Sequence, residues 1–410
     1  MRMKKSFLLL WIAFPSIVFA GGFQLNLQGQ KQIGMGSTGV GFARDASTLF
    51  YNPAGMSSLD TGFHFHAGMS LLFPSVSYLE GNGGMYTAQT VPNTGTPFSF
   101  YAVARLKKQP NLAIGLGAYT PFGSRQQWES DWIGQFLLRE IDLKTIFIQP
   151  TLSWKFSDAF SIGGGLVIAT GSFGLAKGIP AQDTTAQYGS ATLDGKASGM
   201  GYQFGLYHRS ENGFSVGLTY RSAVKANIEN GTATFETPSS LSSYFPNTTF
   251  NTSITLPWVA NLGLGYEKDK WNFACDINYV GWSTYDSLII DFADNTEKLA
   301  DQHSGRKYEN SFIFRLGAEY DVTELATVRA GVYFDQTPVQ DGYLTPETPD
   351  ANKFGISAGL SISRPSGFSL DLSFLYIEGK KRSDTNLETG FSGTYKARAF
   401  IPGIGFSYHF

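Results

Sequence analysis

From residue 61 onward, apolar and polar side chains alternate with period two, in one long segment after another. Over 271–279, Trp271, Phe273, Cys275, Ile277 and Tyr279 share one face, and Asn272, Ala274, Asp276 and Asn278 share the other. The stretch 368–376 repeats the pattern, with Phe368, Leu370, Leu372, Phe374 and Tyr376 opposed to Ser369, Asp371, Ser373 and Leu375. Residues 354–362 and 312–320 do the same. Such alternation predicts strands with one apolar face and one small or polar face. These strands run roughly ten to fourteen residues, longer than those of most soluble sheets and long enough to cross a bilayer at a tilt. The connections alternate as well. Short turns fall at 107–111, 157–159, 210–213, 267–270, 321–325 and 364–367, and long polar segments near 74–96, 123–141, 174–194, 228–251, 284–307, 336–350 and 379–396. About fourteen strands result, starting near 61, 97, 110, 142, 159, 195, 213, 252, 270, 308, 325, 351, 366 and 397. The pattern predicts an all-β fold, a transmembrane antiparallel β-barrel with short turns on one side and long loops on the other.

The N-terminus changes the picture twice. Arg2, Lys4 and Lys5 precede an apolar run from Phe7 to Phe19, and Val18 and Ala20 supply small side chains ahead of a cleavage point. This predicts a secretory signal peptide over 1–20. Its run of about thirteen residues is too short for a spanning helix. Residues 21–60 then carry Phe23, Leu25, Leu27, Ile33, Met35, Phe42, Leu49, Phe50 and Met56, with few charges. A solvated tail would be more polar. A compact plug, or hatch, inside the lumen of a barrel built from 61–410 is the expectation. Within it, GMGSTG at 34–39 spells G-x-G-x-x-G, with Asp60 further on. A dinucleotide site needs a strand before those glycines and a crossover after them; the flanking sequence offers neither.

Composition agrees with a barrel. The chain is rich in Gly (47), Phe (34) and Tyr (20), and only 16% of its residues are charged. Without residues 1–20, Lys+Arg falls from 31 by three to 28, against 33 Asp+Glu. That mild acidity argues against nucleic acid as a partner. One cysteine, Cys275, excludes an internal disulfide. His64 and His66 share a strand face, but no third ligand lies near them in sequence, so no metal is expected. No Ser-His-Asp grouping is recognisable, so no catalytic residue and no cofactor is expected either. The last strand ends Ile404-Gly405-Phe406-Ser407-Tyr408-His409-Phe410, which resembles the sorting signal of outer-membrane barrels.

The order of motifs carries a family resemblance. GGFQLNLQG, IGMGSTGVGFARDASTLFYNPAGMSSL, GLGAYTPFG (115–123), LPWVANLGLGYE (256–267), DINYVGWSTYDSL (276–288) and RAGVYFDQTPV (329–339) resemble, in sequence order, segments of the FadL/TodX family of outer-membrane hydrophobic-compound transporters. The resemblance implies a fourteen-stranded barrel with an N-terminal hatch. It also implies passive uptake of long-chain fatty acids or aromatic hydrocarbons, and no covalent chemistry. It places the hatch or gate at Asn52, Pro53 and Ala54 with Phe23, Leu25 and Phe50. It implies a lateral portal at the third strand, where Gly115, Gly117, Pro121 and Gly123 tolerate a bend. Trp128, Trp132, Phe136 and Leu137, on a short amphipathic-helix pattern, are candidates for one wall of an entry groove or for packing on the barrel rim. Leu241, Tyr244, Phe245 and Phe250 are candidates for the other wall. Recognition of a carboxylate head group needs a cation. The family's basic position at the end of the fifth strand reads ATGSFGLAKG here, leaving Lys177, with inward Arg221 and Arg315 as substitutes or as partners of acids such as Glu319. The expected partners are hydrophobic small molecules, outer-membrane lipid and lipopolysaccharide, and the barrel-assembly machinery of a Gram-negative bacterium. A monomer is expected. A general porin and an outer-membrane lipid hydrolase are the competing functions.

Overall fold

A computed structural model describes residues 22–182 and 188–410; the expected signal peptide lies outside that range. Fourteen antiparallel strands close into one barrel. They are β1 (Gly62–Ser70), β2 (Phe98–Arg105), β3 (Leu112–Tyr119), β4 (Glu140–Lys155), β5 (Phe160–Gln182), β6 (Tyr188–Arg209) and β7 (Phe214–Arg221). The circuit continues with β8 (Trp258–Lys268), β9 (Trp271–Gly281), β10 (Ser311–Asp321), β11 (Ala326–Asp335), β12 (Lys353–Ser363), β13 (Phe368–Gly379) and β14 (Ser392–His409). Strand β14 pairs with both β13 and β1, with Phe65 opposite Tyr408. Past the last pair, Phe63 and Phe410 exchange backbone hydrogen bonds of 2.9 and 3.1 Å. Among the described residues no helix is long and apolar enough to cross a membrane.

The alternation read from the sequence maps onto inside and outside. In β9 the Trp271–Phe273 face looks outward, while Asn272, Asp276 and Asn278 are buried in the lumen. Exposed Leu116, Leu152, Leu218, Leu316 and Ile356 form an apolar outer band. Aromatic side chains border that band at both ends. Trp154, Phe160, Trp271, Phe368 and Phe410 lie near the short turns. Trp258, Tyr279 and Phe312 cluster near the long connections, with ring centres 5.4 Å apart for Trp258 and Tyr279 and 4.6 Å apart for Tyr279 and Phe312. This is the surface a bilayer requires of a barrel wall.

The long connections differ from the expected polar loops. Phe73–Glu80, Val224–Glu236, Thr248–Leu256, Ser287–Phe292 and Arg382–Thr385 are strands that extend the wall upward. Beyond the bilayer a strand no longer needs an apolar outer face, so its polar composition reads as loop. The helix suggested by 128–138 is a series of turns instead, because its two tryptophans pack on neighbouring strands rather than along one helical face.

Residues 22–60 lie inside the barrel. They form short helices α1 (Gln30–Gly34) and α2 (Thr48–Tyr51) and a 3₁₀ turn at Pro53–Ser58, with Ile33, Leu49, Ala54 and Met56 fully buried. Backbone meets backbone where the wall has no side chain. A Cβ on Gly217 would stand 1.9 Å from the Val40 carbonyl oxygen, and one on Gly331 2.0 Å from the Gly36 nitrogen. Gly217→Val is therefore expected to expel the segment while leaving the wall closed. Proteolysis at Lys31 and Arg44 should rise, with the unboiled protein keeping its fast electrophoretic migration. Protection equal to the parent's would contradict this packing.

Candidate functional site

Asn52, Pro53 and Ala54 form the point at which the inner segment is fastened to the wall. Asn52 caps the 3₁₀ turn by accepting a hydrogen bond from the Ala54 N–H at 3.1 Å, and Pro53 occupies the first helical position, where its missing N–H costs nothing. The Asn52 amide group donates to the Leu206 carbonyl of β6 at 2.9 Å and to Val40 at 3.2 Å. The Ala54 carbonyl accepts from Ser153 Oγ at 2.9 Å and Ser161 Oγ at 2.8 Å. The Phe50 carbonyl accepts from Gln203 Nε2 at 2.8 Å and Arg221 Nη2 at 3.0 Å, and the Arg221 guanidinium lies 4.2 Å from the centre of the Phe50 ring. The Gly39 and Val40 N–H groups donate to Asp276 Oδ2 at 2.8 and 3.1 Å. The wall partners Ser153, Ser161, Gln203 and Asp276 were not among the sequence candidates. Each is a polar residue on the inward face of an alternating strand, a pattern shared with other lumenal positions, so nothing in the sequence singled them out.

A second fastening uses charge. Lys31 Nζ lies 3.2 Å from Asp45 Oδ2 and 3.9 Å from Asp371 Oδ2. His66 Nδ1 stands 4.0 Å from Asp45 Oδ2. The Asp45, His66 and Asp371 ligand atoms lie close enough to hold a metal ion, but the Lys31 ammonium already supplies the positive charge there. His64 faces elsewhere, its Nε2 2.8 Å from the Asp60 carbonyl. Burial by itself raises the Asp45 pKa, yet the Lys31 charge and the hydrogen bonds from Ser47 hold it below the ordinary 3.8.

Phe23 and Leu25 sit at a different place, against a break in the wall. The ladder of β3 with β4 runs to Tyr119–Phe147 and resumes at Gly123–Lys144, so residues 120–122 face only 145 and 146. This is a bulge, and Pro121 within it has no N–H to give to a ladder. The inner segment bonds there: the Leu25 N–H donates to Pro121 O at 2.8 Å and the Gly123 N–H to Phe23 O at 3.2 Å. The Phe23 ring packs edge-on against Trp282 at 4.9 Å and Phe122 at 6.2 Å. Gly115 and Gly117, grouped with Pro121 and Gly123 by sequence, lie instead in the unbroken ladder, opposite Thr151 and Gln149. Their missing side chains make room for Leu49, with Met56 beside Gly115.

Trp128 and Trp132 stack at 4.4 Å and are buried against Tyr78 and Tyr395. Phe136 meets Tyr188 edge-on at 4.8 Å, and Leu137 is half-buried. Phe250 is buried beside Phe173, and Phe245 packs on Phe235. Leu241 and Tyr244 are half-buried. Among the described residues no ring contact joins the two groups. The proposed cations are spread out too. Lys177 Nζ donates to Gln302 Oε1 at 3.0 Å, and Arg315 to Asn278 Oδ1 at 2.7 Å and to the Gly36 carbonyl at 3.2 Å. Neither Arg221 nor Arg315 pairs with Glu319, the acid that one of the two alternatives for them had offered. Arg329 takes that carboxylate at 2.6 Å and Arg44 approaches it at 3.6 Å, because Arg329 is its cross-strand neighbour.

A cavity of about 180 Å³ adjoins the break. Residues 22–27 and 123–126 line it, together with Val76, Leu375, Ala399 and Ile401 and, at one end, Asp335, Glu347, Asp350 and Lys353.

Two outcomes test these fastenings. Asn52→Ala is expected to weaken docking of the turn by about 1–2 kcal/mol, the scale of a lost cap and its hydrogen bonds. Amide exchange at 53–58 should rise while that of β9 and β10 stays unchanged. The Asp45 contribution is present above the ordinary 3.8 and lost as pH falls through its lowered value in the folded protein. Lys31→Met raises that value, so acid loosening of the segment, followed by the same exchange measurement, should begin at higher pH than in the parent.

Residues 12–410 match the model of the family described as "Outer membrane protein transport protein (OMPP1/FadL/TodX)". A long-chain fatty acid transport protein of Escherichia coli O6:H1 is 25% identical, with 99% of this chain and 98% of that protein covered. Among solved structures, a Pseudomonas aeruginosa FadL homologue is 19% identical with a TM-score of 0.82, covering 95% of this chain and 99% of that one. The Pseudomonas putida toluene transporter TodX is 15% identical with a TM-score of 0.72, covering 92% and 97%. The fold, the fastened inner segment and the match over nearly the whole chain lead to one conclusion: this is an outer-membrane β-barrel of the OMPP1/FadL/TodX transport-protein family, and not an enzyme.

Proposed function

We propose that the chain is a passive channel for hydrophobic molecules, with residues 22–60 as its hatch. A solute is captured among the extracellular strand extensions, enters the cavity beside residues 22–27, and leaves after the hatch shifts. Exit through the wall at 120–122 is part of the reading. The observation that carries it is a lumen occupied by a polypeptide held through hydrogen bonds, next to a largely apolar cavity at the one break between β3 and its continuation. A general porin needs an open aqueous bore, and the buried side chains of Ile33, Leu49 and Met56 occupy that space.

Apolar walls favour such solutes because each methylene removed from water contributes roughly 0.8 kcal/mol. Binding of that kind makes release dependent on a conformational step. The fastening residues suit such a step, since hydrogen bonds to backbone carbonyls each contribute about 1 kcal/mol net and can be exchanged singly. Outer-membrane lipid and lipopolysaccharide surround the barrel in this reading, the assembly machinery inserts it, and it works as a monomer.

In planar bilayers the intact protein is expected to carry little steady ion current, and a variant lacking 22–60 to carry a large one. In proteoliposomes it should accelerate entry of toluene or of a long-chain fatty acid. Large steady currents from the intact protein, with no acceleration of either solute, would replace this reading by the porin.

A further inference from the structure

From the C-terminal Phe410 back along β14, the outward side chains are Phe410, Tyr408, Phe406, Ile404, Pro402 and Phe400, all exposed and apolar or aromatic. Ten residues separate the first from the last, about 33 Å of strand. At the tilt of a membrane barrel that is a height of about 25 Å, the depth of the apolar band. The next two outward positions are Arg398 and Lys396. They stand where the hydrocarbon ends, on the side of the long connections. Neighbouring strands give the same border. Phe73 is opposite Phe400 and Ser75 opposite Arg398, and on β13 Glu378 is opposite Arg398 and follows Tyr376 outward.

Charge at this border is unbalanced. Four cations, Lys380, Lys381, Lys396 and Arg398, are exposed there against two carboxylates, Glu378 and Glu129. Glu378 is taken: its Oε1 lies 2.7 Å from Lys396 Nζ, and its Oε2 accepts from the Tyr376 hydroxyl at 3.3 Å. Arg398 is its cross-strand neighbour without reaching ion-pair distance, and the side chains of Lys380, Lys381 and Arg398 have no hydrogen bond or ion pair among the described residues. Lys381 and Lys396 line one hollow with Ser77, Gln89 and Thr394, and Glu129 is the one acid among the described residues of that lining. This excess of positive charge stands on a chain whose formal net charge is −2. Other outward cations are balanced: Lys144, Lys196 and Lys225 share their strands with Asp142, Asp194 and Glu229.

We propose that this border is a seat for one molecule of lipopolysaccharide: a phosphate group of the lipid meets Arg398, Lys396 and Lys381, and its acyl chains lie along Phe73 and Phe400. Such a seat rests on the reading that lipopolysaccharide surrounds the barrel, and it is independent of what the lumen carries. Arg398 and Lys396 are two residues apart on one strand face, about 6.6 Å, close enough for both to reach one phosphate. Guanidinium and ammonium groups hold phosphate through charge-assisted hydrogen bonds. Exposed Phe73 and Phe400 adjoin these cations directly. The fitting anion is therefore one anchored in hydrocarbon, and a free phosphate would use only half of the surface.

The test uses the purified full-length protein in detergent micelles, its folding checked by heat-modifiable migration, with native mass spectrometry reading the first bound lipid. The probes are lipid A carrying its phosphates, the same lipid stripped of phosphate, and phosphatidylglycerol. Lipid A is expected to bind at least about tenfold tighter than its phosphate-free form, the factor one charge-assisted hydrogen bond supplies. Lys381→Gln/Lys396→Gln/Arg398→Gln should weaken lipid A about a hundredfold, at about fivefold for each cation beside anionic lipid, and leave the phosphate-free form unchanged. Lys144→Gln/Lys196→Gln/Lys225→Gln removes the same charge elsewhere and should stay within about threefold of the parent, the scale of exposed ion pairs. Equal weakening by the two triple variants, or none by the first, overturns the seat. Phosphatidylglycerol held as tightly as lipid A overturns its assignment to lipopolysaccharide. Should the first variant not fold, Arg398→Gln alone is expected to lose about fivefold, and parental affinity in that variant overturns the seat. Toluene entry into proteoliposomes should be the same in parent and variants, so failure of the channel reading shows separately.

Discussion

Hydrocarbon offers no partner to a backbone amide or carbonyl, and most of this architecture follows from that condition. Each wall strand must be bonded on both edges, so the first strand has to meet the last. It does so through β1 and β14, with Phe63 and Phe410 completing the seam. Closure then creates an interior, and the interior brings its own demand. Many of its inward residues are small or polar, among them Ser153, Ser161, Gln203 and Asp276, so whatever occupies it is held by directional bonds as well as by apolar contact. The inner segment answers with backbone carbonyls at Phe50 and Ala54 and backbone amides at Gly39 and Val40. Serine, glutamine and aspartate on the wall supply the complementary groups.

Glycine on the wall has the same origin. Where backbone lies against backbone there is no room for a Cβ, as at Gly217 and Gly331. The bare positions come in cross-strand pairs, Gly217 opposite Gly263 and Gly317 opposite Gly331, which an empty or water-filled barrel would not need. The high glycine content of the chain is in part an imprint of what it encloses.

The membrane-spanning strands were legible in the sequence because lipid outside and a polar lumen inside impose strict alternation, as in 271–279. The extracellular extensions were not: once both environments are aqueous or mixed, the hydrophobic contrast fades, and 224–236 or 248–256 reads as loop although it is strand. At 128–138 the spacing of Trp128 and Trp132 matched a helix face, but stacking on each other and edge-to-face packing against Tyr78 and Tyr395 satisfy the two side chains without one. The burial of most of residues 22–60 followed from their apolar content. Their fastening points did not, because a lone Ser153 or Gln203 on an inward face is indistinguishable in sequence from any other lumenal residue. Arg315 and Arg329 likewise look interchangeable along the chain. Cross-strand register decides between them, and register is set by turns far from either residue.

The bulge at 120–122 ties two parts of the molecule together thermodynamically. Pro121 offers a carbonyl and Gly123 an amide that find their partners on residues 23 and 25. Withdrawal of that short stretch leaves both groups bare in the flank of the cylinder, so the inner segment and the bulge are energetically coupled. Any parting of the two must therefore supply both groups with other partners, so the cost of moving one is set by the other.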